Sequence, residues 1–269
     1  MRKSLLTVSL TVGLLATPLA QADLVTTWGY TVDSGFTAAT FTSGGGTQIV
    51  SGTEISWGGD NNGGSSGVGD LIINGGERSG LLIENTPRTG TITTGSLAPQ
   101  PTNTFSHINN SISADYATLL TASISTTLKL TALDPDPDVA LPDDTITFAI
   151  KFAETSNNNN CVVGATSNCD DVFVITFGSL NNSFVYDGYE YFASIVKTNG
   201  PLDPLSPSAC AAAGVASGCL GFLTEEGAKT SVDFGIVITS SPINVPEPAS
   251  LALLGAGLAG LGFSRRRKV

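Results

Sequence analysis

The sequence predicts an all-β fold, an antiparallel β-sandwich or jelly-roll-like single domain over residues 23–244, between two terminal segments that lie outside the fold. The composition is rich in Gly, Thr, Ser and Asn, and long runs of the strong helix formers are almost absent. Several segments alternate apolar and polar residues with a period of two, which is typical of strands that bury one face. No internal repeat or long linker divides the central region, so we expect one domain.

The clearest strand is predicted over residues 116–132, where alternate positions carry apolar and polar side chains. Its expected buried set is Leu120, Ala122, Ile124, Thr126, Leu128 and Leu130. The same alternation recurs in Ile146, Phe148, Ile150 and Phe152, and again in Val232, Phe234, Ile236 and Ile238. Each of these strands is expected to bury one face and leave the other in water.

Shorter strands are predicted at residues 24–32, 48–57, 80–84 and 89–94. Asp187-Gly188 predicts a two-residue hairpin, because both turn positions need a positive φ. Antiparallel sheets with one wet face bury their apolar faces by stacking on each other, which gives the sandwich.

The first 22 residues have the organisation of a secretory signal peptide. Arg2 and Lys3 precede an apolar run over residues 5–15, and Ala20-Gln21-Ala22 supplies the small residues that signal peptidase requires. We expect cleavage after Ala22. A retained membrane anchor is the alternative, but the apolar run is short for a bilayer core of ~30 Å.

Residues 245–269 form a second signal with three parts in fixed order. A short motif and a basic tail flank an apolar, glycine-rich stretch over residues 249–263, which predicts a short transmembrane helix. The basic tail would stay in the cytoplasm during a transient insertion into the inner membrane. An ordinary C-terminal anchor remains open as the alternative. The motif residues are Val245, Pro246, Glu247 and Pro248, and the tail contains Arg265, Arg266 and Arg267.

This order of motif, apolar helix and arginine cluster resembles the PEP-CTERM sorting signal of exported proteins in Gram-negative bacteria. The resemblance implies processing by an exosortase, a membrane-embedded cysteine transpeptidase, near residues 246–248. It also implies a link to exopolysaccharide or biofilm production, and a final location outside the cell or on its surface.

Removing both signals makes the protein strongly acidic. Six of the 12 Lys and Arg residues lie in the two signals, whereas all 23 Asp and Glu residues lie between Asp23 and Glu247. Cleavage after Ala22 and beyond Glu247 would leave six basic and 23 acidic residues, a net charge of −17, compared with −11 for the full chain. Such a charge repels phosphate backbones and anionic lipid, so we expect no nucleic-acid partner.

Four cysteines remain after processing, Cys161 with Cys169 and Cys210 with Cys219. In an oxidising compartment we expect two local disulfides, although four cysteines allow three pairings. Each local disulfide would stabilise the fold by ~2.5 kcal/mol on the loop-entropy model. A zinc site is the alternative, but the spacing is not C-x-x-C and no histidine lies nearby.

His107 is the only histidine, so it is the only imidazole base that a hydrolase could use. By the period of two, His107 shares a strand face with Phe105 and Asn109. We favour a structural imidazole that fixes neighbouring backbone. The alternative is a secreted hydrolase that uses His107 as its base.

An acidic loop offers a candidate calcium site. Asp134, Asp136 and Asp138 alternate with prolines, and Asp143 and Asp144 follow shortly after. Ca²⁺ binds clusters of carboxylate oxygens in extracellular modules, although the prolines exclude an EF-hand. A solvated acidic loop is the alternative.

Five aromatic residues could form a surface on which sugar rings stack, because flat aromatic faces pack against the apolar faces of pyranoses. They are Trp28, Trp57, Tyr186, Tyr189 and Tyr191. The alternative is that these side chains belong to the sandwich core.

A second resemblance covers the body of the chain. Motifs spread over nearly all of the mature sequence resemble the THxN family of PEP-CTERM proteins. These are Trp28 with Tyr30, Ile55-Ser56-Trp57-Gly58, Ser106-His107-Ile108-Asn109, the Cys161/Cys169 loop before Asp170-Asp171, Tyr186-Asp187-Gly188, and Cys219-Leu220-Gly221-Phe222 with Glu225. The resemblance implies a structural family motif at Ser106, His107 and Asn109. The family carries no activity that could be transferred.

These features together predict a non-enzymatic protein of the exopolysaccharide or biofilm matrix, exported and processed by signal peptidase and exosortase. A carbohydrate-binding or Ca²⁺-dependent lectin-like module is the first alternative. The hydrolase that uses His107 is the second.

Overall fold

The computed structural model describes residues 23–59, 78–135, 139–155, 170–177 and 181–242. The predicted signal peptide and sorting signal lie outside these ranges, as do Asp136, Asp138, Cys161 and Cys169. The described residues form two antiparallel β-sheets, which confirms the all-β, sandwich-like fold.

The first sheet has eight strands. In spatial order they are β13 (Asp203–Pro204), β14 (Leu220–Thr224), β10 (Asp171–Phe177), β9 (Asp144–Ala153), β7 (Leu119–Asp134), β1 (Thr27–Phe41) and β5 (Arg88–Thr93), with β8 (Val139–Ala140) paired to β7.

The second sheet has seven strands. In spatial order they are β11 (Asn181–Tyr186), β12 (Tyr189–Asn199), β15 (Ala228–Pro242), β6 (Gln100–Asn109), β4 (Arg78–Glu84), β3 (Glu54–Gly58) and β2 (Ile49–Val50).

The core lies between the two sheets and is built from the strand faces that the alternation predicts. In β7 every second residue from Ala122 to Leu130 is buried, as predicted. The prediction is wrong for Leu120, which is 45% exposed, whereas its neighbour Leu119 is buried. A register irregularity near this end of the β1–β7 pairing shifts the alternation by one residue. The predicted positions Ile150, Phe152, Val232, Phe234, Ile236 and Ile238 are also buried.

Strand β1 extends well beyond the predicted residues 24–32. Ser34 and Thr37 interrupt its apolar pattern, yet the backbone continues to pair with β7 as far as Phe41. The buried Ser34 hydroxyl forms a 2.6 Å hydrogen bond with the Thr126 hydroxyl of β7. Two hydroxyls that satisfy each other can occupy a core position, which a pattern of apolar residues alone does not predict.

The predicted hairpin joins β11 to β12. Asp187 and Gly188 have φ values of 45° and 76°, so both turn positions lie in the left-handed region as expected. The backbone N–H of Asp23 donates to Asp187 Oδ2 at 3.1 Å, and Tyr189 pairs with Pro242 at the end of β15. The first and last described residues therefore meet at this hairpin.

A short helix and a disulfide cover the outer face of β10. Helix α1 (Pro207–Ala212), which the sequence pattern does not predict, is capped by Ser206, whose hydroxyl accepts from the backbone N–H of Ala209. Ala209 and Ala213 pack against Val172 and Val174 of β10. The Cys210–Cys219 disulfide is present as predicted. Within the described ranges, no helix has the length and apolar character needed to cross a membrane.

Substituting Gly221 tests the close packing of β14. A Cβ there would lie 2.0 Å from the carbonyl oxygen of Phe173, a backbone atom that cannot move without disrupting the β10–β14 pairing. We expect Gly221→Ala to lower the free energy of unfolding by roughly 2–4 kcal/mol in urea denaturation. Gly52→Ala is the matched control, because its Cβ meets nothing within 4 Å. Equal stability of the two variants would contradict the described packing.

Candidate functional site between the two sheets

Polar side chains from both sheets meet inside the sandwich at one end. Strand alternation places His107 and Asn109 of β6 on the face that looks toward the first sheet. From that sheet come Asp171 at the start of β10 and Thr224 at the end of β14, with Glu154 directly after β9. We call these five residues the inter-sheet polar cluster.

The His107 imidazole is 0% exposed and is surrounded by aromatic rings. The Trp57 ring lies nearly parallel to it at a centroid distance of 6.3 Å, and the Phe152 ring contacts it edge-on at 5.0 Å. Neither ring nitrogen has a hydrogen-bond partner in the described part of the chain. Bonds from the imidazole to neighbouring backbone, which the sequence led us to expect, are therefore absent there, and the ring acts as core packing.

Burial lowers the pKa of His107 to about 3, because a buried charged imidazole would lose its hydration. The nearest carboxylate oxygen, Asp171 Oδ2, lies 3.9 Å from His107 Nε2. This distance is too long for a direct hydrogen bond. The imidazole is therefore neutral at the pH values at which most proteins work.

Two carboxyl groups belong to the cluster: that of Asp171 is buried and that of Glu154 is half-buried. Glu154 Oε2 accepts from Trp57 Nε1 at 3.1 Å, and Asp171 Oδ1 accepts from the backbone N–H of Thr155 at 2.9 Å. Burial, with a smaller contribution from the charge of Glu226, raises the pKa of Glu154 to about 7. Burial and the neighbouring Glu154 charge raise the pKa of Asp171 well above its ordinary value. The cluster thus favours protonated carboxyls beside a neutral imidazole.

The Ser106, His107 and Asn109 side chains have separate structural roles. The Asn109 amide donates to the Thr224 carbonyl at 3.0 Å and so connects the two sheets directly. Ser106 points to the opposite face of β6, where its hydroxyl donates to Glu84 Oε2 at 2.5 Å and contacts the Ser231 hydroxyl at 2.8 Å. A threonine at position 106 would keep this hydroxyl.

The His107 imidazole is closed to solvent. A general base must come within hydrogen-bond reach of a substrate proton, and His107 has no exposed surface. Among the residues that the structure describes, no three His, Cys, Asp or Glu side chains are arranged to hold a metal ion. Asp171 and Glu154 share a side-chain hydrogen bond, whereas Asn109 Oδ1 and Thr224 Oγ1 have no hydrogen-bond partner in the described ranges.

The structure describes only some of the residues of the other predicted sites. Asp134 Oδ2 accepts from the Thr26 hydroxyl at 2.5 Å, so this carboxylate contacts the start of the sandwich. Because Asp136 and Asp138 lie outside the described residues, the calcium site stays a prediction. Trp28, Trp57 and Tyr191 do not form a sugar-stacking surface, because they are 0% exposed and belong to the core. Large rings fill the wide space between two sheets.

Comparison with known proteins identifies one segment. The family model for the PEP-CTERM protein-sorting motif matches residues 244–268. The chain carries a PEP-CTERM sorting motif. This motif indicates an exported protein that is targeted to an exosortase, as the terminal residues predict. No curated protein matches the chain. The THxN resemblance of the body of the chain stays a prediction.

The sequence pattern predicts neither the two carboxyl groups of the cluster nor a buried arginine that lies outside it. Arg78 is only 1% exposed, and its guanidinium donates to the Gly59 carbonyl at 3.0 Å and to the Ser56 hydroxyl at 2.9 Å. The pattern also did not indicate that Glu154 and Asp171 belong to the same cluster as His107. A signal for Asp171 was available, because Asp171 shares the period-two face of the buried Phe173 and Ile175.

Replacing His107 tests its neutral state. Its pKa is 6.5 in an unfolded chain and about 3 in the fold, so the stability it supports is complete above pH 6.5 and declines as the pH falls. Between pH 6.5 and pH 4.5 we expect the wild-type protein to lose roughly 2–3 kcal/mol of unfolding free energy through His107. The His107→Leu variant should not show this loss when urea denaturation is measured at both pH values. An unchanged acid dependence would show that the imidazole is charged in the fold.

Replacing Glu154 tests whether this carboxyl group makes the fold less stable as the pH rises. Its pKa is 4.5 in an unfolded chain and about 7 in the fold, so the protonated group favours folding most at low pH, and stability declines as the pH rises to 7. We expect the decline in unfolding free energy as the pH rises to 7 to be smaller by roughly 2–3 kcal/mol in Glu154→Gln than in wild type. Asp115→Asn, at an exposed carboxylate, controls for the change in net charge. Parallel pH profiles for Glu154→Gln and wild type would contradict the assignment.

Proposed function

We propose that the body of this PEP-CTERM protein is a non-enzymatic component of an exopolysaccharide or biofilm matrix. The observation that carries the proposal is the sorting motif at residues 244–268, because it indicates export and processing by an exosortase. The processed protein would then act outside the cell or on its surface, with signal peptidase and exosortase as its processing partners.

The acidic composition and the polar cluster are consistent with this role. A net charge of −17 after processing keeps a matrix protein hydrated and away from anionic lipid and nucleic acid. The only histidine is buried in the core, so the described structure offers no exposed imidazole base for hydrolysis. This burial favours a matrix protein over the hydrolase alternative.

Carbohydrate binding is the second candidate function. The observation that favours it is a cleft at the edge of the sandwich whose lining combines Phe184 and Tyr186 with Asp144 and Asn182. Aromatic rings beside carboxylate and amide groups can contact both the apolar and the hydroxyl-bearing faces of a sugar.

Intact mass of the protein recovered outside the producing cells tests the matrix proposal. We expect a species that lacks residues 1–22 and the tail beyond the PEP motif, with all four cysteines oxidised. It should sediment with the exopolysaccharide fraction. An uncleaved, thiol-reduced protein retained in the cytoplasm would refute the proposal.

A sorting variant provides the matched comparison for this experiment. Replacing Arg265, Arg266 and Arg267 by alanine removes the charges that hold the tail in the cytoplasm. We expect the unprocessed form to accumulate and the matrix-bound form to fall by about tenfold or more. Leu97→Ala, at an 82% exposed surface position, should leave processing unchanged.

A further inference from the structure

A cleft of about 730 Å³ separates the two sheets at one edge of the sandwich. It lies where β7, β8 and the start of β9 in the first sheet face β11, the edge strand of the second sheet. We call it the edge cleft. Its volume falls within the ~300–1,000 Å³ range of small-ligand sites, and all of its lining residues are described.

The inner walls of the edge cleft are apolar. Leu128 and Leu130 of β7 form one wall together with Leu141, and Phe184 of β11 and Ala193 of β12 form the other. Leu128, Leu130 and Ala193 are buried, whereas Leu141 and Phe184 are half-buried because they face the opening. A ligand that enters the cleft would therefore meet an aromatic ring and aliphatic side chains.

The aromatic wall is held in place from behind. The Phe184 ring stacks on Tyr191 at 5.3 Å with an interplanar angle of 14°, and its edge contacts Trp28 at 5.5 Å. Tyr186 also contacts Trp28, at 5.8 Å. Since Trp28 and Tyr191 are completely buried, the Phe184 ring is supported before any ligand arrives. A preorganised wall reduces the entropy that binding would otherwise cost.

The rim of the edge cleft is polar and acidic. The Asn182 amide of β11 donates to the Asp144 carboxylate of β9, so this pair bridges the two sheets at the opening. Asp143 lies beside them and forms a 3.1 Å ion pair with Lys129. An amide and two carboxylates offer donors and acceptors of the kind that hydroxyl groups need.

We propose that the edge cleft binds a neutral sugar ring of an oligosaccharide. The apolar C–H face of the ring would pack on Phe184, and its hydroxyls would bond to Asp144 and Asn182. The acidic rim and the acidic protein disfavour uronic acids and phosphorylated ligands. An acyl chain fits poorly, because it would cover Asp144 without offering it a donor. This inference deepens the second candidate function and rests on it.

Three variants define the binding experiment. Leu141→Trp fills the cleft, and Phe184→Leu keeps an apolar wall but removes the aromatic face. Leu97→Trp adds the same indole at an exposed leucine that does not line the cleft. Processed protein is titrated with neutral hexose, glucosamine and uronic-acid oligosaccharides, with and without chelator, and thermal unfolding confirms that each variant is folded.

We expect the neutral hexose oligosaccharides to bind, with an affinity that the chelator does not change. Leu141→Trp should weaken binding by about tenfold or more and Phe184→Leu by about fivefold, whereas Leu97→Trp stays within about twofold of wild type. If both cleft variants bind as tightly as wild type, the edge cleft is not the binding site, although the protein still binds carbohydrate. A preference for uronic acids or for a fatty-acid probe would overturn the ligand class. Absence of any sugar binding would overturn both, without touching the matrix proposal.

Discussion

The fold depends on burying one apolar face of each sheet against the other while still satisfying the polar groups that face inward. The Asn109 amide meets this requirement by donating across the gap to the Thr224 carbonyl at 3.0 Å, and the Tyr191 hydroxyl accepts from the backbone N–H of Val25 at 2.9 Å. Each contact connects the second sheet to strands or termini of the first. Such bonds fix the position of one sheet relative to the other, which apolar contacts alone do not specify.

The inter-sheet polar cluster combines groups whose protonation responds to pH in opposite ways. His107 favours folding when the pH is high enough to keep an unfolded imidazole neutral, and Glu154 favours folding when the pH is low enough to keep an unfolded carboxyl protonated. Between pH 4.5 and pH 6.5 the two contributions oppose each other. An exported protein is not protected by a buffered cytoplasm, and this opposition reduces the dependence of its stability on pH.

Local sequence patterns predicted most of the fold because they report the surroundings of single residues. The alternation in β7 and β15 identified the buried faces, and Asp187-Gly188 identified a turn from its backbone requirement alone. The site was harder to predict because it joins distant segments. His107 and Asp171 are far apart in the chain, and only the pairing of β6 with β15 and of β10 with β14 and β9 brings them to one end of the sandwich. Leu120 shows the same limit, since a bulge is a property of the strand pair.

The two ends of strand β15 lie at opposite ends of the sandwich. Its first residue, Ala228, pairs with Asn109 beside the polar cluster, and its last, Pro242, pairs with Tyr189 beside the Asp187 hairpin that also holds Asp23. Asp23 and Pro242, the first and last described residues, therefore lie at one pole of the sandwich, and the polar cluster with His107 lies at the other.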